Sequence, residues 1–508
     1  MRRVLLCFVL ALALAFMISC SEGEDNNPVP VLSSISPSSS VANMPGFSLV
    51  LRGSNFVQNS TVNFGGSSKS ATFVSSTELH CQINPADIPG SAAYSGTDTG
   101  DINLMNSNTN VYVVNPSPGG GNSNTMVFTV QSNPEYMTQT NISNDNYESS
   151  HTRIGIDAQN SLDVVWDIAL PAGNSKIIFT RSTDRGITWS SQVSVSAEKS
   201  DATRPDIAVK STGELNVVWM ENLSQYDVYF GRSTDNGATW TTPLNISNTL
   251  TVDSYYPAVA VDNYGNLNVV WIENRRMSTN NVWIRSIYFS RSTNGGTVWS
   301  APALLYETKC VCPPAIAVDS AGRIFVAYRF GELADEGEIL VISSGDGGTS
   351  WSSPKLVSVD AGDAINPSLA VDSNGYVNLA WQQIVSGDYD IFHARSTDLG
   401  ANWNQPVNVS QTYGESRRPS ITVDSLGNLI ISWDDNTLGG EDVFQSRSVN
   451  NGATWSEYTN ISLNAGDSWD SDNVVDSGCN ICIVWLDKTS GSTETYFIKS
   501  VIAGLFAD

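Results

Sequence analysis

One eight-residue pattern recurs six times in the C-terminal two-thirds of this 508-residue chain. The pattern is Ser-x-Asp/Asn-x-Gly-x-x-Trp, and its third position is held in turn by Asp184, Asp235, Asn294, Asp346, Asp398 and Asn450. Its last position is held by Trp189, Trp240, Trp299, Trp351, Trp403 and Trp455. The carboxylate or amide can accept backbone hydrogen bonds within a tight turn, and the glycine can adopt a positive φ at little cost. A polar turn closed by a large apolar side chain suits the connection of two antiparallel strands, so the sequence predicts a β-rich repeat protein.

A second landmark, an apolar run that ends in an aromatic residue, recurs seven times. The aromatic residues lie 52–57 positions apart and are Trp166, Trp219, Trp271, Tyr328, Trp381, Trp433 and Trp485. Each repeat contains four short β-rich segments separated by turn residues. Four strands in a repeat of about 50 residues match one blade of a β-propeller. We name the strands of each repeat a to d, from the axis outward.

The eight-residue pattern resembles the Asp box, or BNR repeat, of sialidases and related β-propellers. The resemblance covers residues 138–502 and implies that the boxes are structural turns at the blade periphery, away from the family's catalytic pocket. Seven landmarks predict seven blades, whereas sialidases have six. The last repeat lacks strand d, and residues 138–143 resemble the strand d segments of other repeats. We therefore expect residues 138–143 to complete the seventh blade and to remove an exposed sheet edge.

The N-terminal residues have the features of an export signal. Two arginines precede an apolar stretch that is too short and wrongly flanked for a membrane-spanning helix. The segment Met17-Ile-Ser-Cys20 resembles a bacterial lipobox, which implies lipid attachment at Cys20. We expect residues 1–19 to be a lipoprotein signal peptide, residues 20–27 to be an acidic linker, and the protein to be exported and lipid-anchored at the bacterial outer membrane or cell surface. An ordinary cleaved signal with an incidental Cys20 is the alternative.

Residues 28–131 form a separate predicted domain. Short alternating segments are separated there by Gly- and Pro-rich turns, as in Gly53-Ser-Asn-Phe56 and the closing Ser123-Asn124. This stretch resembles an IPT/TIG domain, which implies an immunoglobulin-like sandwich that acts as a spacer. The predicted fold class is therefore all-β, a sandwich followed by a seven-bladed Asp-box propeller at 138–502. Residues 132–137 are expected to be a linker, and residues 503–508 a tail.

Composition limits the partners. The chain carries 26 basic and 51 acidic residues, which gives a formal net charge of −25. Such a field repels nucleic acid and anionic lipid surfaces, so we exclude nucleic acid and expect membrane contact only through the lipid anchor. It also gives no attraction for anionic sialosides. We expect a monomer.

Five cysteines follow Cys20, and four of them form two close pairs, Cys310 with Cys312 and Cys479 with Cys482. Four thiolates would suit zinc. The predicted topology places the two pairs on opposite faces of the propeller, so we expect no metal site and no cofactor. Local disulfides or buried thiols suit an exported chain better, and Cys479–Cys482 is the favoured bridge because it flanks a hairpin turn.

Two sets of repeat positions are the candidate ligand site, on the face opposite the Asp boxes. One position just before each strand a is held by His151, Arg204, Tyr256, Pro313, Asn366, Arg418 and Asp470. A second position, two residues after each landmark aromatic, includes Glu221, Glu273, Asp435 and Asp487. Residues two apart share one side of a strand, so the second set is expected beside the aromatic, at the mouth of the b-to-c loop. The sets are open to two interpretations, a ligand-binding rim and a belt of salt bridges between blades.

The function expected from the sequence is binding of a glycan or protein ligand at the cell surface. A glycoside hydrolase is the alternative. The sialidase resemblance implies three arginines, a tyrosine nucleophile with a glutamate, and an aspartate acid/base. Arg153, Arg204 and Arg418 could supply the arginines, although the segment around Arg153 has Gly where the family has Pro, and Tyr256 with Glu273 comes nearest to the Tyr–Glu pair. Other glycosidases use paired carboxylates.

Overall fold

The computed structural model describes residues 26–41, 47–84, 87, 107–131, 135–136, 139–144, 147–171, 173–197, 201–249, 251–276, 283–308, 312–331, 336–358, 362–462 and 466–501. Two compact units are present, and the chain passes from the first to the second between Val130 and Gln131. The predicted signal peptide, Cys20 and the tail at 503–508 lie outside the described residues. In the described ranges, no helix is long and apolar enough to cross a bilayer.

The first unit is a two-sheet antiparallel sandwich. Its described strands are β1 (Val31–Ser36), β2 (Ser39–Val41), β3 (Phe47–Ser54), β4 (Thr61–Phe64), β5 (Ser67–Ser70), β6 (Thr72–Ser75), β7 (Glu78–Ile83), β8 (Ser107–Asn115), β9 (Gly121–Asn122) and β10 (Met126–Gln131). One sheet has the order β1-β3-β7-β6, and the other β2-β10-β8-β4-β5 with β9 beside β8. Buried residues such as Leu49, Val62 and Phe128 alternate with exposed ones and fill the space between the sheets.

Asn27, the last residue of the predicted acidic linker, belongs to this sandwich. Its backbone N–H donates to the Pro118 carbonyl at 2.8 Å, and its side chain donates to the Pro116 carbonyl at 2.8 Å. The linker prediction for residues 20–27 is therefore wrong at its last residue.

The second unit begins with two short strands, β11 (Glu135–Tyr136) and β12 (Thr140–Asn141), which precede the first blade. The first three blades are four-stranded antiparallel sheets. Blade 1 comprises β13 (Ser149–Ile156), β14 (Leu162–Ala169), β15 (Ser175–Ser182) and β16 (Val193–Ser194). Blade 2 comprises β17 (Asp201–Val209), β18 (Leu215–Asn222), β19 (Tyr226–Ser233) and β20 (Leu244–Asn245). Blade 3 comprises β21 (Asp253–Val261), β22 (Leu267–Arg276), β23 (Trp283–Ser292) and β24 (Ala303–Thr308).

The next three blades repeat this arrangement. Blade 4 comprises β25 (Ala315–Val318), β26 (Ile324–Phe330), β27 (Glu338–Ser344) and β28 (Lys355–Leu356). Blade 5 comprises β29 (Ala364–Val371), β30 (Val377–Val385), β31 (Asp388–Ser396) and β32 (Val407–Asn408). Blade 6 comprises β33 (Ser416–Val423), β34 (Leu429–Asp435), β35 (Asp442–Ser448) and β36 (Thr459–Asn460). Blade 7 has β37 (Ser468–Val475), β38 (Ile481–Asp487) and β39 (Glu494–Val501).

The ring closes between the seventh and the first blade. Strand β12 pairs with β39 through Thr140 opposite Phe497 and Asn141 opposite Tyr496, which confirms the predicted closing segment. Strand β11 also pairs with β39, so part of the predicted linker at 132–137 is a strand. Each innermost strand contacts the innermost strand of the next blade, and β37 contacts β13. The second unit is therefore a seven-bladed propeller.

The strands b are nearly continuous apolar runs because both of their faces pack against neighbouring blades. In β18, all residues from Leu215 to Glu221 are buried. The landmark aromatics of the seven strands b have 0–1% of their surface exposed. These runs therefore supply the core between blades.

Each Asp-box turn is held by its own side chains. In blade 2, Ser233 Oγ donates to Asp235 Oδ1 at 2.8 Å and accepts the backbone N–H of Gly237 at 2.9 Å. Trp240 then packs against the preceding blade, 5.3 Å from the ring of Phe179. A Cβ at Gly237 would lie 1.9 Å from Phe179 Cε1, so the glycine is required by the seam between the blades. The boxes are structural turns that join neighbouring blades.

The predicted Cys479–Cys482 disulfide is wrong. Both residues are free, buried thiols. Cys479 has a φ of 61° in the a-to-b turn and lies 3.5 Å from Ser425 Oγ, whereas Cys482 packs in the core between blades 7 and 1. The two sulfurs thus face different neighbours. Cys312 is disulfide-bonded, and its partner lies outside the described residues.

Candidate functional site at the axial bulges

Strand a of six blades carries a β-bulge close to its first residue. The ladder register between strands a and b shifts at each bulge. Within each shift lies one residue with a φ of 49–55°, and these residues are His151, Arg204, Tyr256, Asn366, Arg418 and Asp470. We call them the bulge ring. Six of the seven positions predicted just before strand a thus share one backbone conformation. They lie inside strand a, at its bulge, and not before it.

The backbone of the bulge ring is strained. A left-handed conformation costs a non-glycine residue roughly 1–2 kcal/mol, and only glycine avoids the clash of Cβ with the backbone. Bulges that re-aim side chains, and residues in strained conformations, both concentrate at functional sites. None of the six ring positions is a glycine. The sequence uses this costly geometry to place a side chain at each position.

Blade 4 departs from the ring. Pro313 occupies the equivalent position, and the pyrrolidine ring fixes φ near about −65°. A left-handed bulge is therefore impossible there. Strand β25 begins only at Ala315 and pairs with β26 without a register shift.

The residue directly after the landmark aromatic supports the bulges. In blade 1 this residue is Asp167, which is buried. Its Oδ1 accepts the backbone N–H of Arg204 in the next blade at 2.9 Å and lies 2.8 Å from His151 Nδ1 in its own blade. One carboxylate thus satisfies the backbone of one bulge and orients the side chain of another.

Blades 5 and 6 repeat this connection with different chemistry. Gln382 Oε1 accepts the backbone N–H of Arg418 at 2.8 Å and the side-chain N–H of Asn366 at 3.0 Å. In blade 6, Asp434 accepts a hydrogen bond from Arg418 Nε. The sequence analysis did not identify Asp167, Gln382 and Asp434. Each directly follows a landmark aromatic, so their shared repeat position could have indicated them.

The residues two positions after the landmark are buried against indoles instead. Glu221 and Glu273 are each 3% exposed, Asp435 is 1% exposed and Asp487 is 0% exposed. The landmark tryptophan of the same strand donates to Glu221, Asp435 and Asp487 at 2.7, 3.2 and 3.3 Å. Their side of strand b is packed between blades, so the expectation that these four carboxylates reach a ligand is corrected. The Tyr256–Glu273 pairing loses its basis for the same reason, since burial raises the pKa of Glu273 inside the blade.

Charge concentrates in one arc of the bulge ring, formed by blades 6, 7, 1 and 2. Arg418 pairs with Asp434 and lies 3.5 Å from Glu441 Oε2. Arg153 Nη1 lies 3.4 Å from Asp470 Oδ1. The neutral arc contains Tyr256, Pro313 and Asn366.

The two carboxylates of blades 6 and 7 are shifted in opposite directions. Burial raises the pKa of Asp434 to about 7 against the opposing charge of Arg418. Burial also acts to raise the pKa of Asp470, but the neighbouring side chains, Arg153 foremost, outweigh it and hold that pKa below the ordinary value. Asp434 Oδ1 and Asp470 Oδ2 are buried atoms that have no hydrogen-bond partner in the described part of the chain. The Asp470 side chain keeps 14% of its surface exposed, whereas that of Asp434 keeps 2%.

A second layer of acids lies two residues further along strand a. Asp472 Oδ2 accepts the backbone N–H of Ile154 at 3.0 Å, and Asp206 Oδ2 accepts that of Val259 at 2.7 Å. Burial raises the pKa of Asp206 to about 6. These carboxylates bind neighbouring inner strands together. Among the described residues, no group of three or more His, Cys, Asp or Glu side chains is arranged to hold a metal ion.

Comparisons with known proteins agree with this division of the chain. Residues 30–130 match the IPT/TIG domain family, and residues 265–479 match the BNR repeat-like domain family. No curated protein sequence matches the chain.

Three of the solved structures that are similar to this chain are as follows. A protein of unknown function from Dyadobacter fermentans is 15% identical, with a TM-score of 0.47, over 60% of this chain and 96% of that one. The Hadza microbial sialidase Hz136 is 14% identical, with a TM-score of 0.43, over 94% and 93%. An α-L-arabinanase from Penicillium chrysogenum, solved with arabinobiose, is 14% identical, with a TM-score of 0.43, over 59% and 92%.

Proposed function

We propose that the propeller binds a glycan at the bulge ring, on the face opposite the Asp boxes. The observation that carries this proposal is the repeated left-handed bulge, which occurs in six blades and holds five kinds of side chain. A geometry that only stabilised the ring would favour glycine at these positions. Strained positions filled with His, Arg, Tyr, Asn and Asp support recognition of a polar ligand.

The charges favour a neutral sugar over an acidic one. Arg153 already pairs with Asp470, and Arg418 with Asp434, so a ligand carboxylate at either guanidinium would have to displace an acidic side chain. Arg204 lies over the Tyr256 ring. Sugar hydroxyls can instead donate to Asp470, whose side chain keeps 14% of its surface exposed.

We also propose that the protein is exported and anchored through lipid at Cys20, so that the propeller binds glycans at the cell surface. Mass spectrometry of the protein purified from membranes should find an acylated Cys20 as the first residue. Cleavage at another residue would contradict the anchor without affecting glycan binding.

A glycan array probed with the full chain tests the binding proposal. Neutral oligosaccharides should bind, and Asp470→Asn should weaken the interaction by about 1–2 kcal/mol, the scale of a charge-assisted hydrogen bond. Asp346→Asn is the matched control, because two of the six boxes already have asparagine at that position. The absence of any bound neutral glycan, or equal loss in both variants, would contradict the proposal.

Glycoside hydrolysis is a second candidate, favoured by one observation. Asp434 and Asp470 belong to neighbouring blades and have pKa values shifted in opposite directions, as expected of an acid paired with a carboxylate base. A panel of aryl glycosides and fluorogenic sialosides tests it. Turnover that falls by about 10²–10⁴ in Asp434→Asn would establish a hydrolase and replace the binding proposal.

A further inference from the structure

A strip of aromatic rings leads from the outer end of the seam between blades 2 and 3 to the bulge ring. The ring of Tyr226, in the first residue of β19, lies 5.4 Å from that of Tyr255. The ring of Tyr255 lies 6.2 Å from that of Tyr256. Arg204 completes the strip, with Cζ 4.6 Å from the Tyr256 centroid. All four side chains are half-buried, so each presents part of its surface to solvent.

The strip is fixed by contacts across the seam. Asp253, the first residue of β21, accepts the backbone N–H of Tyr226 at 3.0 Å and thereby ties the two blades together. The backbone N–H of Tyr256 points at Met220 Sδ, 3.5 Å away, in the preceding blade. These bonds fix the backbone that carries Tyr226 and Tyr256 before any ligand arrives, which lowers the entropy lost on binding.

We propose that the ligand is an oligosaccharide that lies along Tyr226, Tyr255 and Tyr256, with its terminal sugar in the bulge ring. This inference rests on the proposed glycan-binding function and specifies a chain of sugars in place of a single one. The C–H face of a neutral pyranose buries apolar surface against an aromatic ring, while its hydroxyls stay hydrated. Successive ring centroids are 5.4 and 6.2 Å apart and the ring planes are tilted by 42° and 41°, so the three rings offer separate platforms to successive sugars of a twisted chain. The surrounding negative charge gives a neutral chain the advantage over an acidic one.

Titration calorimetry with the full chain tests this inference. The probes are the gluco-, cello-, xylo- and arabino-oligosaccharides, each from one to six units. In the series that binds, the affinity should rise with each unit up to three and then level off. Tyr226→Ala should lower the affinity for the trimer and longer chains by about 3–10-fold and leave that for the monosaccharide unchanged.

Two further variants separate local from general effects. Tyr226→Phe retains the ring and should bind as the wild type does, which assigns the contribution of Tyr226 to its ring and not to its hydroxyl. Tyr413→Ala removes a side chain that is 97% exposed and lies outside the strip, and should also bind normally.

The outcomes distinguish the two levels of the proposal. Binding that does not grow with chain length, together with an unaffected Tyr226→Ala variant, would overturn the strip and leave the ring site in place. A complete lack of binding by all probes would overturn both. Binding of a peptide, in place of every sugar, would likewise overturn both.

Discussion

The Asp-box turns and the bulge ring are both repeated around the same propeller, but they repeat different things. The boxes repeat residues, and their hydrogen bonds stay within one turn, as in Thr188 N–H to Asp184 Oδ1 at 2.8 Å. The bulge ring repeats a backbone conformation with changing side chains, and its hydrogen bonds cross from blade to blade, as in Arg204 N–H to Asp167 Oδ1 at 2.9 Å. Repetition of residues therefore marks the scaffold. Repetition of a strained geometry with varied residues marks the candidate site.

The largest expected effect breaks the scaffold at an Asp box. Gly237→Ala places a Cβ against Phe179 at a φ of 84°, so overpacking and backbone strain should together lower the free energy of unfolding by about 2–4 kcal/mol. Urea unfolding measures the loss, and glycan affinity per folded molecule should be unchanged. A variant as stable as the wild type would show that the box seams do not carry the scaffold.

The next effect concerns an irregularity among the boxes. His393 takes the place of a phenylalanine, has its ring 5.2 Å from that of Trp455, and has no partner for either ring nitrogen among the described residues. Burial lowers the pKa of His393 to about 3. Below about pH 6.5 the imidazole is therefore protonated in the unfolded chain but stays neutral in the folded chain. Wild-type stability should fall, relative to His393→Phe, by about 1.4 kcal/mol per pH unit below pH 6.5, which is about 2 kcal/mol by pH 5.

Urea unfolding at pH 7 and pH 5 checks this prediction, with His80→Gln in the other unit as the control. A constant difference between His393→Phe and the wild type at both pH values would refute it.

A smaller effect distinguishes the two regions by the sign of their pH dependence. The hydrogen bond from Thr188 holds the pKa of Asp184 at about 2, so its contribution to stability is present above about pH 4 and lost as the pH falls to 2. Burial raises the pKa of Asp434 to about 7, so its ionisation lowers stability as the pH rises through 7. Relative to the wild type, Asp434→Asn should gain on the order of 1–2 kcal/mol between pH 5 and 8.

Asp184→Asn should show no such gain over that range, and its difference from the wild type should change only below pH 4. Unfolding curves of both variants at pH 3, 5 and 8 suffice. Parallel pH profiles for the two variants would contradict the prediction that stability depends on pH with opposite sign at the Asp boxes and at the bulge ring.

The smallest effect tests whether side chains in the bulge ring are free to vary. Arg204→Asn keeps the backbone bond to Asp167 and places an amide residue in a conformation that asparagine tolerates. The lost contact with Tyr256 offsets this gain, so stability should change by less than about 0.5 kcal/mol. A larger loss, measured by thermal unfolding, would mean that the ring side chains hold the scaffold together as the boxes do.

The closing strand could be predicted because its residues repeat a local task. Ser143 Oγ accepts the backbone N–H of Thr495 at 2.9 Å, as Ser247 Oγ accepts that of Val228 at 3.0 Å in blade 2. The same Asn-Ile-Ser letters predict the same contact. The unpaired state of Cys479 could not be read in this way, because Cys479 takes the left-handed position of a turn in which five other blades have glycine and blade 1 has Asn160.

The bulges and their supports depend on contacts between blades. Arg204 and Arg418 carry no signal of a positive φ, since glycine, and less often asparagine or aspartate, are the residues typical of it. The compensating acceptor for Arg204 is Asp167, in another blade. Counting two positions from Trp219 correctly places Glu221 on the side of the indole, but that side is sealed by the next blade. The sequence therefore predicts the ring positions but neither their conformation nor the residues that orient them.

Pro313 gives the propeller a direction around its axis. Seven equal blades would offer a ligand seven equivalent orientations, and none would be preferred. Since proline forbids the left-handed bulge, blade 4 interrupts the rotational symmetry, with neutral Tyr256 and Asn366 in the blades on either side and the charged arc beyond them. A ligand at the axis consequently meets a surface with only one matching rotation.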